Sequence, residues 1–437
     1  MYIVNYRRRA EAVFFAVLIF FIACIARLLY VQFFHADYLA SIAKKQHNLY
    51  VELEPRRGTI YDANFKPQAV NLAFESVFAV PNDMTQPQKE EALSCLPAIL
   101  KMDASALRDR LWRNKSFVWL ARKVPSDKIE LIKALKLKGI GFIKESKRCY
   151  PNGYLLSHVL GFAGMDNKGL EGIELSYDKY LKGRPGWALM LRDARRRSLN
   201  IYDNSIMPKD GYDIVLTIDE VIQYIAEREL DEVFRKYRAR GASIVVMDPK
   251  TGAVLAMANR PTYDLNVLTK LDKDVMRNRA ICDMFEPGSV NKVVTMAAAI
   301  EEGVVEPATR FLVPDGIQVA DHRFTDHDPH PLANWSVSDI LTQSSNVGTI
   351  MVAQQLGAER LDEYMRRFGF GQPTSLGFPN EAGGITLPLD EWSGTSIGSI
   401  PLGQGISVTA LQMLSAFNVV ANDGVYVPPR LVLARVG

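Results

Sequence analysis

Ser289 and Lys292 stand three residues apart in Glu286-Pro287-Gly288-Ser289-Val290-Asn291-Lys292, directly ahead of an apolar stretch at 293–300. Side chains at that separation share a helix face, so the pattern predicts a hydroxyl and an amine within reach at the start of a buried helix. Apolar enclosure strips the amine of hydration and disfavours its charged form, leaving a neutral base. The serine would lie near the positive end of the helix dipole, where a developing alkoxide is favoured. This combination suits acyl transfer through a serine ester. Ser344-Ser345-Asn346 falls in a predicted loop between apolar helical stretches at 335–341 and 347–356. Ser344 and Asn346 can face one cleft, the hydroxyl to relay a proton and the amide to hold a carbonyl or steady the lysine.

Spacing alone does not single these residues out. Ser41…Lys44 and Ser176…Lys179 repeat the Ser-x-x-Lys pattern, and Ser198…Asn200 and Ser289…Asn291 repeat Ser-x-Asn. Roughly one or two chance Ser-x-x-Lys matches are expected in an ordinary composition of this length. The first two sit in polar surroundings and read as solvated helix faces. Only Ser289 has a Pro-Gly entry, a long apolar helix behind it and a Ser-x-Asn loop downstream.

The elements that must position these residues belong to a large chain. At 437 residues it exceeds one compact core, so two or more domains are expected. With 48% hydrophobic and 23% charged residues it is globular, and a net charge of +3 is too small to argue for nucleic acid. Arg7, Arg8 and Arg9 precede a charge-free run at 12–26, and apolar character resumes beyond Arg27 to Phe34. Residues 12–34 make about 35 Å of helix, enough for a bilayer core of about 30 Å. Arg27 can snorkel to the interface. Positive charge ahead of the span places the N-terminus in the cytoplasm and the rest outside. Apolar residues continue past the small residues at 23–26, which favours an uncleaved anchor over a signal peptide. Four cysteines, one within the span, suggest no disulfide framework or metal spacing.

Beyond the anchor, residues 86–137 show helical periodicity, and 151–186 are punctuated by turn residues. Arg195-Arg196-Arg197 reads as a solvated loop. Residues 213–219 read as a strand leading into an amphipathic helix at 222–237. Residues 243–247 and 253–258 flank Asp248-Pro249-Lys250-Thr251-Gly252 as a hairpin. Helices are then predicted at 289–302, 336–341, 347–356, 361–368 and 409–422, and a strand at 431–435.

These motifs, in this order, resemble the class B penicillin-binding proteins, the monofunctional peptidoglycan D,D-transpeptidases. The resemblance spans nearly the whole chain. It includes Arg57-Gly58-x-Ile60-x-Asp62-x-Asn64, His158-Val159-Leu160-Gly161-Phe162, Gly169-Leu170-Glu171-Gly172-Ile173-Glu174, Asp248-Pro249-x-Thr251-Gly252, Phe285-Glu286-Pro287-Gly288-Ser289 and Gly403-Gln404-Gly405. It implies an α+β protein: a cytoplasmic tail at 1–10, a transmembrane anchor at 11–34, an elongated pedestal of the dimerisation type at 35–209, and a transpeptidase domain at 210–437. That last domain would hold a largely antiparallel sheet between helical layers. By the same resemblance Ser289 attacks the D-Ala-D-Ala bond of a stem peptide, Lys292 is the general base, and Ser344 helps protonate the leaving amine. Asn346 completes the site, and no cofactor or metal is required. β-Lactams should acylate Ser289. Implied partners are the stem peptides, a polytopic glycan polymerase and other division proteins. Location is the bacterial cytoplasmic membrane, single-pass, with catalysis in the extracytoplasmic space. The compact pedestal favours septal synthesis over elongation.

Two departures qualify the resemblance. Val290-Asn291 stands where Thr-Phe is common in the family. No lysine follows Lys292, so the family's third motif, Lys-Thr/Ser-Gly, is missing after the nucleophile. Lys250-Thr251-Gly252 matches it literally but lies in the hairpin turn. The expectation is therefore a C-terminally truncated transpeptidase domain with little or no transpeptidation by this polypeptide. A non-catalytic envelope scaffold and a D,D-carboxypeptidase or β-lactamase-like hydrolase are the alternatives. Asp321, His322, Asp326, His327, Asp328 and His330 offer zinc-type ligands, though a polar loop facing a cleft explains them equally. Arg57, with Asp62 and Asn64, is expected to tie the pedestal strands together, with a contact of Arg56-Arg57 to a lipid phosphate as the alternative.

Overall fold

The computed structural model describes residues 3–34, 48–115, 117–192, 198–201, 206–268 and 272–437. Ser41, Lys44 and Arg195–Arg197 lie outside them. The chain separates into two compact units, residues 1–55 with 184–209 and residues 56–183 with 210–437.

The first unit carries helix Ile3–Phe34 and an antiparallel sheet of Asn48–Leu53, Gly186–Arg192 and Ser198–Ile201. Within the helix, Arg7–Phe34 holds an 18-residue window with a mean hydropathy of 2.8, and is long and apolar enough to cross a membrane. Its large apolar side chains, Phe14 and Phe20 among them, are exposed, which for such a run calls for a lipid or protein covering.

The larger unit contains a mixed sheet in the order Val432–Val436, Asp213–Leu216, Ile60–Tyr61, Pro67–Ala79 and Val118–Val124, with Ile140–Cys149 also pairing along Pro67–Ala79. All its pairings are antiparallel except Ile60–Tyr61 against Asp213–Leu216. Residues 86–137 are therefore not continuously helical. Helices Gln86–Leu100, Ala104–Leu111 and Ser126–Ala134 are interrupted by strand Val118–Val124. The β-favouring Val118 and Trp119 open that strand, and an available edge on Pro67–Ala79 settles the choice, a tertiary effect that periodicity cannot register.

Near the predicted positions, Ala242–Met247 and Val254–Arg260 form an antiparallel hairpin. Val254 and Met257 enter one core with Ile281 and Leu411, while Ala256 and Ala258 enter another with Ala226 and Leu230 of helix Glu220–Tyr237. Helices thus cover both faces. Asp219 starts helix Glu220–Tyr237 by accepting from the N–H groups of Val221 and Ile222 at 2.8 and 3.1 Å.

Arg57 is a buried structural residue, and its partners are not Asp62 and Asn64. It is 1% exposed and donates to Glu174, to Asp178 and to the carbonyl of Asn167. Asp62 instead accepts from the N–H groups of Asn64 and Lys66. Gly58 beside it passes so close to the Tyr212 carbonyl that a Cβ would lie 1.8 Å from the oxygen; no larger residue fits there.

Candidate active site

The segment predicted as one helix from 289 begins as a 3-10 turn, Gly288–Asn291, and becomes α-helical over Lys292–Glu301. The helix is buried because it lies between two apolar clusters. Val294 and Ala298 pack with Leu361, Tyr364 and Met365; Met296 and Ala299 pack with Ile340, Val347 and Val352. Asn291, the residue that departs from the usual pattern, is fully buried and donates its amide to the Ile400 carbonyl at 2.9 Å.

Lys292 opens the α-helix and is 1% exposed. Its amine donates to the Ser344 carbonyl, to Ser344 Oγ at 3.1 Å and to Asn346 Oδ1 at 2.8 Å, a full complement for an ammonium group. Desolvation brings its pKa down from 10.5 to about 8, against an opposing pull from the Asp326 charge. The structure thus brings Lys292, Ser344 and Asn346 into direct contact. Ser289 projects from the adjoining 3-10 turn as an exposed side chain, and the three bonds of the amine go to Ser344 and Asn346 rather than to its hydroxyl.

Ser344 has a positive φ of 54°, a conformation costing a non-glycine residue about 1–3 kcal/mol. It turns the Ser344 carbonyl and side chain toward one amine. Ser345 then caps helix Asn346–Leu356, its Oγ accepting from Gly348 N–H at 2.9 Å. The Asn346 amide donates to the Thr325 carbonyl at 3.0 Å, which fixes Oδ1 toward Lys292.

The turn that carries Ser289 is braced from residues 400–405. Gly288 N–H donates to the Gly403 carbonyl at 3.0 Å, and the Glu286 carboxylate accepts from Gly405 N–H at 2.8 Å.

Residues 242–436 match the penicillin-binding protein transpeptidase domain, and residues 52–216 match the penicillin-binding protein dimerisation domain. Stage V sporulation protein D of Bacillus subtilis is 36% identical over 434 residues, 98% of this chain and 67% of the relative. The peptidoglycan D,D-transpeptidase FtsI of Escherichia coli is 32% identical over 413 residues, 92% of this chain and 69% of the relative. The chain belongs to the class B penicillin-binding proteins. The solved structure of penicillin-binding protein 3 from Mycobacterium tuberculosis, complexed with aztreonam, superposes with a TM-score of 0.67 at 30% identity, covering 89% of this chain and 68% of that one.

Of the remaining sequence candidates of this penicillin-binding protein, Lys250 and Thr251 bond elsewhere, whereas Asp326 borders the Lys292 cluster. Lys250 pairs with Asp423 at 3.0 Å, and Thr251 Oγ1 donates to Asp248 at 2.6 Å, as befits a hairpin turn. Lys179 is an exposed helix residue. Of the Asp/His loop, Asp326 accepts from His330 at 2.8 Å and from Ser345 Oγ at 2.7 Å. Among the described residues, no group of three or more His, Cys, Asp or Glu side chains forms a candidate metal centre. The sequence offered Asp326 only as one acid in a cluster. Its approach to Ser345 and Asn346 depends on a loop closure across about 20 residues that no local pattern encodes.

Proposed function

We propose that the chain is a peptidoglycan D,D-transpeptidase working through an acyl-Ser289 intermediate. The match to the transpeptidase domain and a relative named as a D,D-transpeptidase support this over the expectation of little or no transpeptidation. The observation that carries this reading is the buried Lys292 amine, poised near neutrality and held by Ser344 and Asn346, one turn from an exposed serine. Loss of one proton leaves Lys292 two N–H groups for three acceptors and frees a lone pair. That lone pair takes the Ser289 proton, directly or through Ser344 Oγ, as the serine oxygen bonds to the carbonyl carbon of the penultimate D-alanine. The C–N bond breaks, and the terminal D-alanine departs with the proton returned through Lys292 and Ser344. An amine of a neighbouring stem then attacks the ester, restoring the Ser289 hydroxyl and forming the cross-link. Asn346 holds Lys292 and the substrate amide in register.

The apolar helix within residues 7–34 is read as a single-pass anchor in the bacterial cytoplasmic membrane, with both domains on the extracytoplasmic side, in septal wall synthesis beside a glycan polymerase. β-Lactams acylate the same serine in this reading.

Incubation with a fluorescent penicillin, read by intact mass and peptide mapping, should place one adduct on Ser289 and none in Ser289→Ala. Release of D-alanine that depends on an added amine acceptor separates transpeptidation from carboxypeptidation. A label that persists in Ser289→Ala would refute the assignment.

A further inference from the structure

The Ser344-Ser345-Asn346 turn is gripped from outside by one carboxylate. Asp326 Oδ1 accepts from the N–H groups of Asn346 and Val347, the latter at 2.9 Å. Its Oδ2 accepts from Ser345 Oγ at 2.7 Å and from His330 Nε2 at 2.8 Å. With Ser345 Oγ taking Gly348 N–H, the first three N–H groups of helix Asn346–Leu356 are all satisfied. A carboxylate with four donors has no acceptor capacity to spare. It also sits where the helix dipole favours negative charge. The preceding residue, Ser344, is in the left-handed conformation, which surrounding bonds must over-determine if it is to persist.

We propose that Asp326 is a positioning residue for acyl transfer: it locks Ser344, Ser345 and Asn346 onto the Lys292 amine and supplies the negative charge that acts on that amine. The electrostatic half follows from the same geometry, since Asp326 holds the backbone N–H of Asn346 while the side chain of Asn346 accepts from the Lys292 amine, and the direction of both pKa shifts agrees with it. Asp326 is the charge whose field opposes the desolvation of Lys292. Although burial pushes the Asp326 carboxyl up, the hydrogen bonds from Val347, Ser345, His330 and Asn346 outweigh it and hold it below the usual range. It therefore remains ionised while Lys292 titrates. The titratable groups facing it are Lys292 and His330. His330 in turn faces Asp326 and Asp315, and its Nδ1 is 2.7 Å from the Pro331 carbonyl.

The role rests on the transpeptidase reading, but its test does not require turnover. Lysines carrying 13C at Cε are titrated by NMR in the full chain, with the Lys292 signal assigned by its loss in Lys292→Arg. Asp326→Asn retains an oxygen for the Asn346 and Val347 N–H groups but removes the charge; Asp326→Ala removes both. The Lys292 midpoint should fall by about one pH unit in each variant, because an opposite charge that favoured the cation is gone. Amide exchange at Asn346 and Val347 should accelerate at least tenfold in Asp326→Ala and change little in Asp326→Asn. An unmoved midpoint in Asp326→Asn, or wild-type exchange in Asp326→Ala, overturns the proposal. If Asp326→Ala does not fold, the Asp326→Asn midpoint decides alone. Failure of penicillin to label Ser289 while the midpoint shifts would remove the transpeptidase reading and leave the clamp standing.

Discussion

Gly403 lies against Gly288 with no room for a side chain: a Cβ on Gly403 would fall 2.3 Å from the Gly288 oxygen and 2.6 Å from its nitrogen. Gly403 also has a φ of 74°, where any β-carbon is strained. Both constraints act on the residue preceding Ser289. Gly403→Ala should therefore displace the nucleophile turn. Its Ser289 acylation rate, measured with fluorescent penicillin, should fall by at least tenfold, with a lower melting temperature. Gly424→Ala is the control, since it shares the positive φ but has open space around its Cβ. It should lose some stability and retain acylation.

In the proposed mechanism Lys292 must be neutral to accept the Ser289 proton. Because desolvation holds its pKa near 8, the second-order rate of penicillin acylation should climb through pH 7 and level off above about 9. Lys292→Arg, which stays protonated throughout this range, should reduce the rate by 10²–10⁴, the usual worth of a general base. A flat profile between pH 6.5 and 9 would show that some other group activates Ser289.

The same displacement has a consequence for stability. Lys292 ionises near 8 when folded and near 10.5 by its ordinary value. Between those values the unfolded chain binds the extra proton, so stability rises with pH. The penalty is complete below about pH 8 and is relieved toward 10.5. Lys292→Met abolishes this linkage. Comparing chemical unfolding of the two proteins from pH 7.5 to 10, the difference should move in favour of the wild type by about 1.4 kcal/mol per pH unit across the window. Parallel curves would place the amine's folded pKa near its ordinary value.

How far these residues were legible in the sequence follows from how local their causes are. The Pro-Gly entry and apolar run announced helix Lys292–Glu301, and Asp248 through Gly252 announced a hairpin, because turn chemistry and periodicity are written in adjacent residues. Strand Val118–Val124 was hidden, since the adjacent charges Arg122 and Lys123 break the alternation of a strand and its partner strand lies some 40 residues earlier. The contact of Lys292 with Ser344 and Asn346 followed from motif order. The hold of Asp326 on that turn did not, because an aspartate among histidines looks the same in sequence whether it meets a metal, solvent or a helix N-terminus.

Arg57 supplies a test that separates scaffold from chemistry. Its guanidinium and that of Arg148 both pair with Glu174, whose side chain is fully buried. Arg57 also reaches Asp178 at 2.7 Å and the Asn167 and Glu174 carbonyls. Removing one partner leaves buried charge uncompensated, which costs about 3–5 kcal/mol. Arg57→Met should therefore lower the unfolding free energy by that amount. Glu174→Gln should do comparable harm by leaving two guanidinium groups short of a carboxylate. The fraction that remains folded should still acylate Ser289 at the wild-type rate, because none of these groups belongs to the Lys292 cluster. Titrating active sites with fluorescent penicillin alongside a urea melt distinguishes the two quantities. A rate that falls in step with neither folding nor Tm would mean that the Arg57 network reaches the nucleophile turn.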